Sequence, residues 1–114
     1  MKFKDEFNLT ERKQESARVL RKYNDRVPII CEKQNRCLMR EIDKKKYLVP
    51  NDLTCGQFMY VIRKRLCLPA DKAIFLFVNG TVPSSNEIVG QVYDRCKDLD
   101  GFLYMNYSDE NVFG

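Results

Sequence analysis

A chain of 114 residues holds one domain, large enough for a modest core without disulfide or metal staples. Its 44% hydrophobic and 32% charged residues exclude a disordered chain, and no apolar run approaches the roughly 18 residues that a membrane-spanning helix needs. Net charge is +4 and histidine is absent, which removes Cys-His and Ser-His-Asp catalysis and histidine-containing metal sites.

The elements follow in chain order. Residues 1–9 hold a short patterned stretch with Phe3, Phe7 and Leu9. Thr10 is the expected N-cap of a helix running to about Tyr23, with Ala17, Leu20 and Tyr23 on one face and Val19 beside them. Val27-Pro28-Ile29-Ile30-Cys31 reads as a strand, although Pro28 cannot donate to a ladder. Residues 33–45 read as a polar, basic connection, and Tyr47-Leu48-Val49 as a second strand ended by Pro50.

Thr54-Cys55-Gly56-Gln57 fits a capping box, and Cys55, Phe58, Met59, Ile62 and Leu66 then recur at helical spacing. Arg63-Lys64-Arg65 complement the dipole at that helix's end. The apolar run 73–78 reads as a central strand covered on both faces, closed by the turn pair Asn79-Gly80. Ser84-Ser85-Asn86-Glu87 offers a second capping box before Ile88, Val89, Val92, Tyr93 and Cys96, and residues 102–107 read as a last strand. Without residues 1–22 the order is strand, strand, helix, strand, short helix, strand. One sheet crossed by a long helix is an α+β layout, the β-grasp of ubiquitin.

Charge is uneven: residues 1–65 carry 17 Lys/Arg against 9 Asp/Glu, and residues 66–114 carry 3 against 7. A basic front half suits acidic peptides, anionic lipid or nucleic acid, or is a solvated face. The five cysteines are odd in number and widely spaced without CxxC, which favours reduced thiols. The N-terminus lacks the apolar stretch of a secretory leader, so a cytoplasmic chain is expected.

The stretch Asp43-Lys44-Lys45-Lys46-Tyr47-Leu48-Val49-Pro50, with Asp52-Leu53-Thr54-Cys55-Gly56-Gln57-Phe58, closely resembles the autophagy-related ubiquitin-like modifiers, most of all their GABA-receptor-associated-protein branch. Further matches are Asp25-Arg26-Val27-Pro28, Ile62-Arg63-Lys64-Arg65, Phe75-Leu76-Phe77-Val78-Asn79 and Tyr107-Ser108-Asp109-Glu110. The resemblance runs in register along nearly the whole chain. Asn24 departs from the usual proline, and residues 34–42 follow a different pattern.

The resemblance implies an α+β ubiquitin-like β-grasp with two additional N-terminal helices: a helical extension at 1–22 packed on the core, a four-stranded mixed sheet crossed by helices at 23–107, and a flexible tail at 108–114. It implies a non-enzymatic modifier, without catalytic residue, cofactor or metal. Gly114 would be activated, passed through thioesters by activating and conjugating enzymes, and joined to phosphatidylethanolamine. A cysteine protease would release it, and the lipidated form would sit on autophagosome or other vesicle membranes.

Receptors carrying an aromatic-x-x-aliphatic motif would add a strand beside the second strand. By position the first pocket would use Glu15, Val19, Pro28, Ile30, Lys46, Leu48 and Phe102. The second would use Tyr47, Val49, Pro50, Leu53, Phe58, Val61 and Ile62. Arg26, Lys44, Lys46 and Arg65 would meet acidic flanks of the motif. Simple core burial stays open for Leu48, Val49, Phe58 and Ile62. Phe75, Leu76 and Phe77 would offer a second binding face, with a buried central strand as the alternative. The basic N-terminal segment would touch microtubules or a membrane surface, or is a charged outer face. An unconjugated adaptor, a sulfur carrier and a nucleic-acid binder compete with this reading. The single terminal glycine and the core-like aromatic pattern weigh against the last two.

Overall fold

The structure is a computed structural model that describes residues 1–110. Its elements are α1 (Lys2–Glu6), α2 (Leu9–Lys22), β1 (Arg26–Lys33), β2 (Lys46–Pro50), α3 (Cys55–Leu66), β3 (Phe75–Phe77), α4 (Val89–Cys96) and β4 (Leu103–Ser108). The strands form one mixed sheet in the order β2-β1-β4-β3, with β1 parallel to β4 and the other pairs antiparallel. This is the expected ubiquitin-like α+β sheet with two helices added in front. β4 runs one residue into the expected tail, and Ser108 is buried opposite Phe75.

β1 is buried almost throughout because it is central and covered on both faces. Side chains alternate along a strand. Val27, Ile29 and Cys31 enter the main core with Phe58, Ile62 and Leu66 of α3 and Leu103, Met105 and Tyr107 of β4. Pro28, Ile30 and Glu32 therefore point to the opposite face, where α1 and α2 lie. There Glu32 accepts from the Phe3 N–H at 3.2 Å, and the Phe3 and Phe102 rings meet edge-on at 5.3 Å. The helical extension is a second layer on the sheet rather than an appendage.

Pro28 is tolerated for a geometric reason. The Cys31 N–H donates to Lys45 O, so by alternation the nitrogen of residue 28 points toward β4, whose pairing with β1 begins only at Ile29.

The Thr54 capping box forms as expected: Thr54 Oγ1 accepts from the Gln57 N–H at 3.1 Å and Gln57 Oε1 accepts from the Thr54 N–H at 2.9 Å. α2 starts earlier than expected. Asn8, not Thr10, is its N-cap, in a reciprocal box with Glu11. Its buried residues are Ser16 and Val19, while Ala17 is exposed.

The second expected capping box does not form. α4 begins at Val89 with Ile88 as an uncapped N-cap, and Glu87 pairs with Arg95 at 2.8 Å. The segment is held instead by backbone bonds to the start of α3, with Cys55 N–H to Glu87 O and Gly56 N–H to Ser85 O. β3 has Leu76 and Phe77 buried as expected, but it is an edge strand rather than a central one. The connection at 33–45 is not purely polar, because Cys37 and Ile42 are buried and Ile42 joins the core.

Candidate functional site

Among the described residues β2 pairs only with β1, so its outer edge is open. Val27 faces Val49 and Ile29 faces Tyr47, and the Cys31 bond fixes these as the hydrogen-bonded pairs. Lys46 and Leu48 therefore turn their backbone N–H and C=O groups outward. Arg26 Nη1 donates to Leu48 O at 3.3 Å, which confirms that this carbonyl is not spent on the ladder. An edge guarded by lysines resists pairing with another sheet yet can still accept an extended acidic segment.

Above this edge α1, α2 and β2 enclose a cavity of about 340 Å³ lined by Phe3, Phe7, Glu11, Arg12, Gln14, Glu15, Arg18 and Lys46. Glu15 and Lys46, both expected in the first pocket, meet in a hydrogen-bonded ion pair on its wall. Arg18 Nε donates to Glu15 at 2.7 Å. Hydrogen bonds from Arg18 and then Lys46 hold the Glu15 carboxyl down at about 2, against the smaller opposing effect of burial.

The other expected first-pocket residues lie deeper. Val19, Ile30 and Phe102 are fully buried, Pro28 is buried and Leu48 is half-buried. Phe3, Phe7, Arg12 and Arg18 line the cavity without having been singled out for it. The i, i+4 spacing of Phe3 and Phe7 was the signal available for the first two.

The expected second pocket is brought together beneath α3. Tyr47, Val49, Phe58 and Ile62 belong to the core, with the Tyr47 and Phe58 rings edge-on at 5.4 Å. Leu53 is half-buried, while Pro50 and Val61 are exposed and form the reachable rim. Burial pushes the Tyr47 hydroxyl far above its ordinary value, and it donates to Lys44 O at 2.7 Å. The Lys44 ammonium lies 5.2 Å from the Tyr47 ring centre, and Arg65 pairs with Asp43 at 3.3 Å.

On the far side a separate apolar cavity of about 230 Å³ is lined by Cys55, Met59, Ile74, Phe75, Leu76, Val82 and Pro83, among others. It takes in two of the three residues expected to form the second face. Phe77 does not line this cavity and is buried. Gly114, the expected conjugation residue, lies outside the described residues.

A family model described as "Autophagy protein Atg8 ubiquitin like" matches residues 11–114. Autophagy-related protein 8 of Kluyveromyces lactis is 54% identical over 112 residues, covering 98% of this chain and 90% of that protein. The Candida glabrata protein of the same name is 55% identical over 112 residues, covering 98% and 95%. Among solved structures, Trypanosoma brucei ATG8 superposes with a TM-score of 0.91 at 44% identity, covering 95% of this chain and 93% of that one. Plasmodium falciparum Atg8, solved in complex with a P. falciparum Atg3 peptide, gives 0.87 at 34% identity, covering 95% of each chain. With the fold, the family model and identity across nearly the whole length in agreement, the chain belongs to the Atg8 family of autophagy-related ubiquitin-like proteins.

Proposed function

We propose that this chain is a lipid-conjugated modifier of autophagy, joined through Gly114 to phosphatidylethanolamine, which carries receptors and cargo to growing autophagosomal membranes. The observation that carries the receptor half of this reading is the open β2 edge beside the cavity at Glu15 and Lys46. An extended motif would bond the outward groups of Lys46 and Leu48. Its aromatic side chain would enter the cavity, and its aliphatic residue would rest on Pro50, Leu53 and Val61. Lys44, Lys46, Arg26 and Arg65 would meet its acidic flanks. The Atg3 peptide bound to the Plasmodium relative supports a peptide-binding surface on this fold.

The conjugation half rests on family membership and on Gly114. Adenylation and thioester transfer by activating and conjugating enzymes suit a terminal residue with no side chain, since the acyl carbon stays accessible in a narrow channel. A cysteine protease would reverse the linkage. The chain supplies no catalytic group of its own to these steps. It moves between cytoplasm and vesicle membrane according to whether the lipid is attached.

The test is incubation with the pathway's activating and conjugating enzymes, ATP and phosphatidylethanolamine vesicles, with Gly114→Ala alongside. A mass gain of one lipid in the wild type alone is the expected result. If neither protein gains lipid while a Trp-x-x-Leu peptide still binds, the chain is an unconjugated adaptor and the conjugation half falls.

A further inference from the structure

The loop between β1 and β2 is where the sequence leaves its family's pattern, at residues 34–42. β1 and β4 run parallel with Lys33 beside Tyr107, so this loop and the C-terminal tail leave the same end of the sheet. The loop is pinned there. The Gln34 N–H donates to Tyr107 O at 2.9 Å, the Tyr107 hydroxyl donates to Arg40 O at 2.8 Å, and Lys33 Nζ donates to Cys37 O at 2.6 Å. Cys37 is buried, and its thiol lies 3.5 Å from Asp109 at the root of the tail.

From this pinned backbone Leu38 projects with 97% of its surface exposed, more than any other large apolar side chain among the described residues. Its flanks are cationic. Arg36 has no ion pair among the described residues. Among the described residues Arg40 bonds only to carbonyls, Arg65 O at 2.7 Å and Leu66 O at 3.3 Å, so none of them neutralises its charge. Lys33 is likewise bonded to a carbonyl. The nearby acids are Asp109 and Glu110, which line the tail side of the cavity shared with Arg36 and Leu38. Glu41 is paired with Lys2.

We propose that the tip of this loop is a membrane-contact finger: Leu38 enters the interfacial layer of an anionic bilayer while Arg36 and Arg40 meet its phosphates. The inference rests on the reading that Gly114 carries the lipid. Gly114 is the fourth residue after Glu110, a reach of at most about 14 Å in a fully extended chain. A lipid on Gly114 therefore keeps the bilayer at this end of the molecule. A bilayer also suits the shape. One projecting leucine buries little against a protein, where specific interfaces need about 1,000 Å² or more. A bilayer takes up a single aliphatic side chain without shape complementarity and rewards adjacent basic residues when its lipids are anionic.

The chain has no tryptophan and no histidine, which makes the test clean. Leu38→Trp supplies a sole indole reporter, and a hexahistidine tail added after Gly114 tethers the protein to vesicles bearing a nickel-chelating lipid. Leu99→Trp is the control, since Leu99 is 89% exposed but lies ahead of β4, at the opposite end of the sheet. On phosphatidylserine-rich vesicles the indole at 38 shifts to the blue and is quenched by brominated acyl chains. On phosphatidylcholine vesicles it responds less, and the indole at 99 stays as in buffer. Arg36→Glu lowers the inserted-to-free ratio at position 38 about tenfold or more, as expected for reversing one basic charge at an anionic surface.

Buffer-like emission at position 38 on anionic vesicles, or equal quenching at 38 and 99, overturns the proposal. Capture of a protein partner through Leu38 without any vesicle response overturns it as well. The tether replaces the enzymatic lipid, so failure here leaves the conjugation reading standing, and failure of conjugation leaves this measurement standing.

Discussion

Glu15→Gln should strengthen binding of acidic peptides. The carboxylate accepts from Arg18 Nε at 2.7 Å and Nη2 at 3.1 Å and from the Lys46 ammonium, so the lysine that would greet an acidic ligand already has a partner. Glutamine keeps the shape of the cavity wall and removes the charge. The Lys46 side chain is 40% exposed and that of Glu15 27%, which places the pair in the solvent-screened range of about 0.5–1 kcal/mol. Releasing Lys46 should therefore raise affinity roughly two- to five-fold. Fluorescence anisotropy with a labelled Asp-Asp-x-Trp-x-x-Leu peptide, and with its Asn-Asn counterpart, separates charge from shape. The gain belongs to the acidic peptide alone and shrinks at high salt. Weaker binding of the acidic peptide, or an equal gain for both, would refute the competition. The wild type should show no change of its own from this group near neutrality. The Glu15 carboxyl sits at about 2 in the folded chain against an ordinary 4.5. Its depressed value means that the pair's contribution is complete above 4.5 and is lost as pH falls toward 2.

Three further variants test how the site is supported. Asp100→Asn leaves the Arg12 guanidinium, 11% exposed, without its counter-charge at 2.9 Å, which costs about 3–5 kcal/mol in urea unfolding. Hydrogen exchange should then rise in α1 and α2 before it rises in α3, and a loss under about 1 kcal/mol would sink the reasoning. Thr54→Ala removes half of the α3 capping box and should lower stability by about 1 kcal/mol with an unchanged denaturant slope. Gly101→Ala should cost about 1–3 kcal/mol, because φ there is +90° and the new methyl would lie 2.4 Å from Ser16 Oγ. Thermal unfolding of Gly101→Ala with Ser16→Ala should show less than the sum of the single losses, since the Oγ is gone; strict additivity would argue against the clash.

α3 was legible because everything that specifies it is local: a reciprocal cap, an apolar stripe and a basic last turn within residues 54–66. Ser84-Ser85-Asn86-Glu87 carries an equally good local pattern and does something else. Its backbone is claimed by Cys55 and Gly56, and the Glu87 side chain by Arg95. The pattern was outcompeted by partners about 30 and 8 residues away, which no window of four residues reports. Strand order is hidden for the same reason. The run at 73–78 is apolar enough for a central strand, yet β4 takes the middle and β3 the edge. The site divides along the same line. Glu15 and Lys46 could be placed by resemblance, but their pairing across 31 residues and the aromatic wall of Phe3 and Phe7 follow from packing alone.

That packing gives the N-terminal helices a part in the proposed binding. A β-grasp sheet by itself would expose Pro28, Ile30 and Phe102 on its second face. α1 and α2 cover that face and, in doing so, raise one wall of the cavity beside β2. The cover is fastened at both ends of the sheet: at one, Arg12 meets the fully buried Asp100 carboxylate, Ser16 Oγ donates to Asp100 O, and Lys4 pairs with Asp98 at 2.7 Å; at the other, Lys2 pairs with Glu41 and the Phe3 N–H donates to Glu32. Tyr104 adds its hydroxyl to the Asp100 carboxylate and its ring to the Lys4 ammonium at 4.6 Å. The Asp98 and Asp100 contacts lie at the start of β4, and Arg12 joins them to the lining of the cavity. On the proposed reading a peptide that fills the cavity would bind at a seam between two layers, against a wall in which Arg12 is held by the buried Asp100 carboxylate. The tail and the bare Leu38 lie at the end of the sheet away from Asp100, so the proposed membrane contact would not compete with a peptide in the groove.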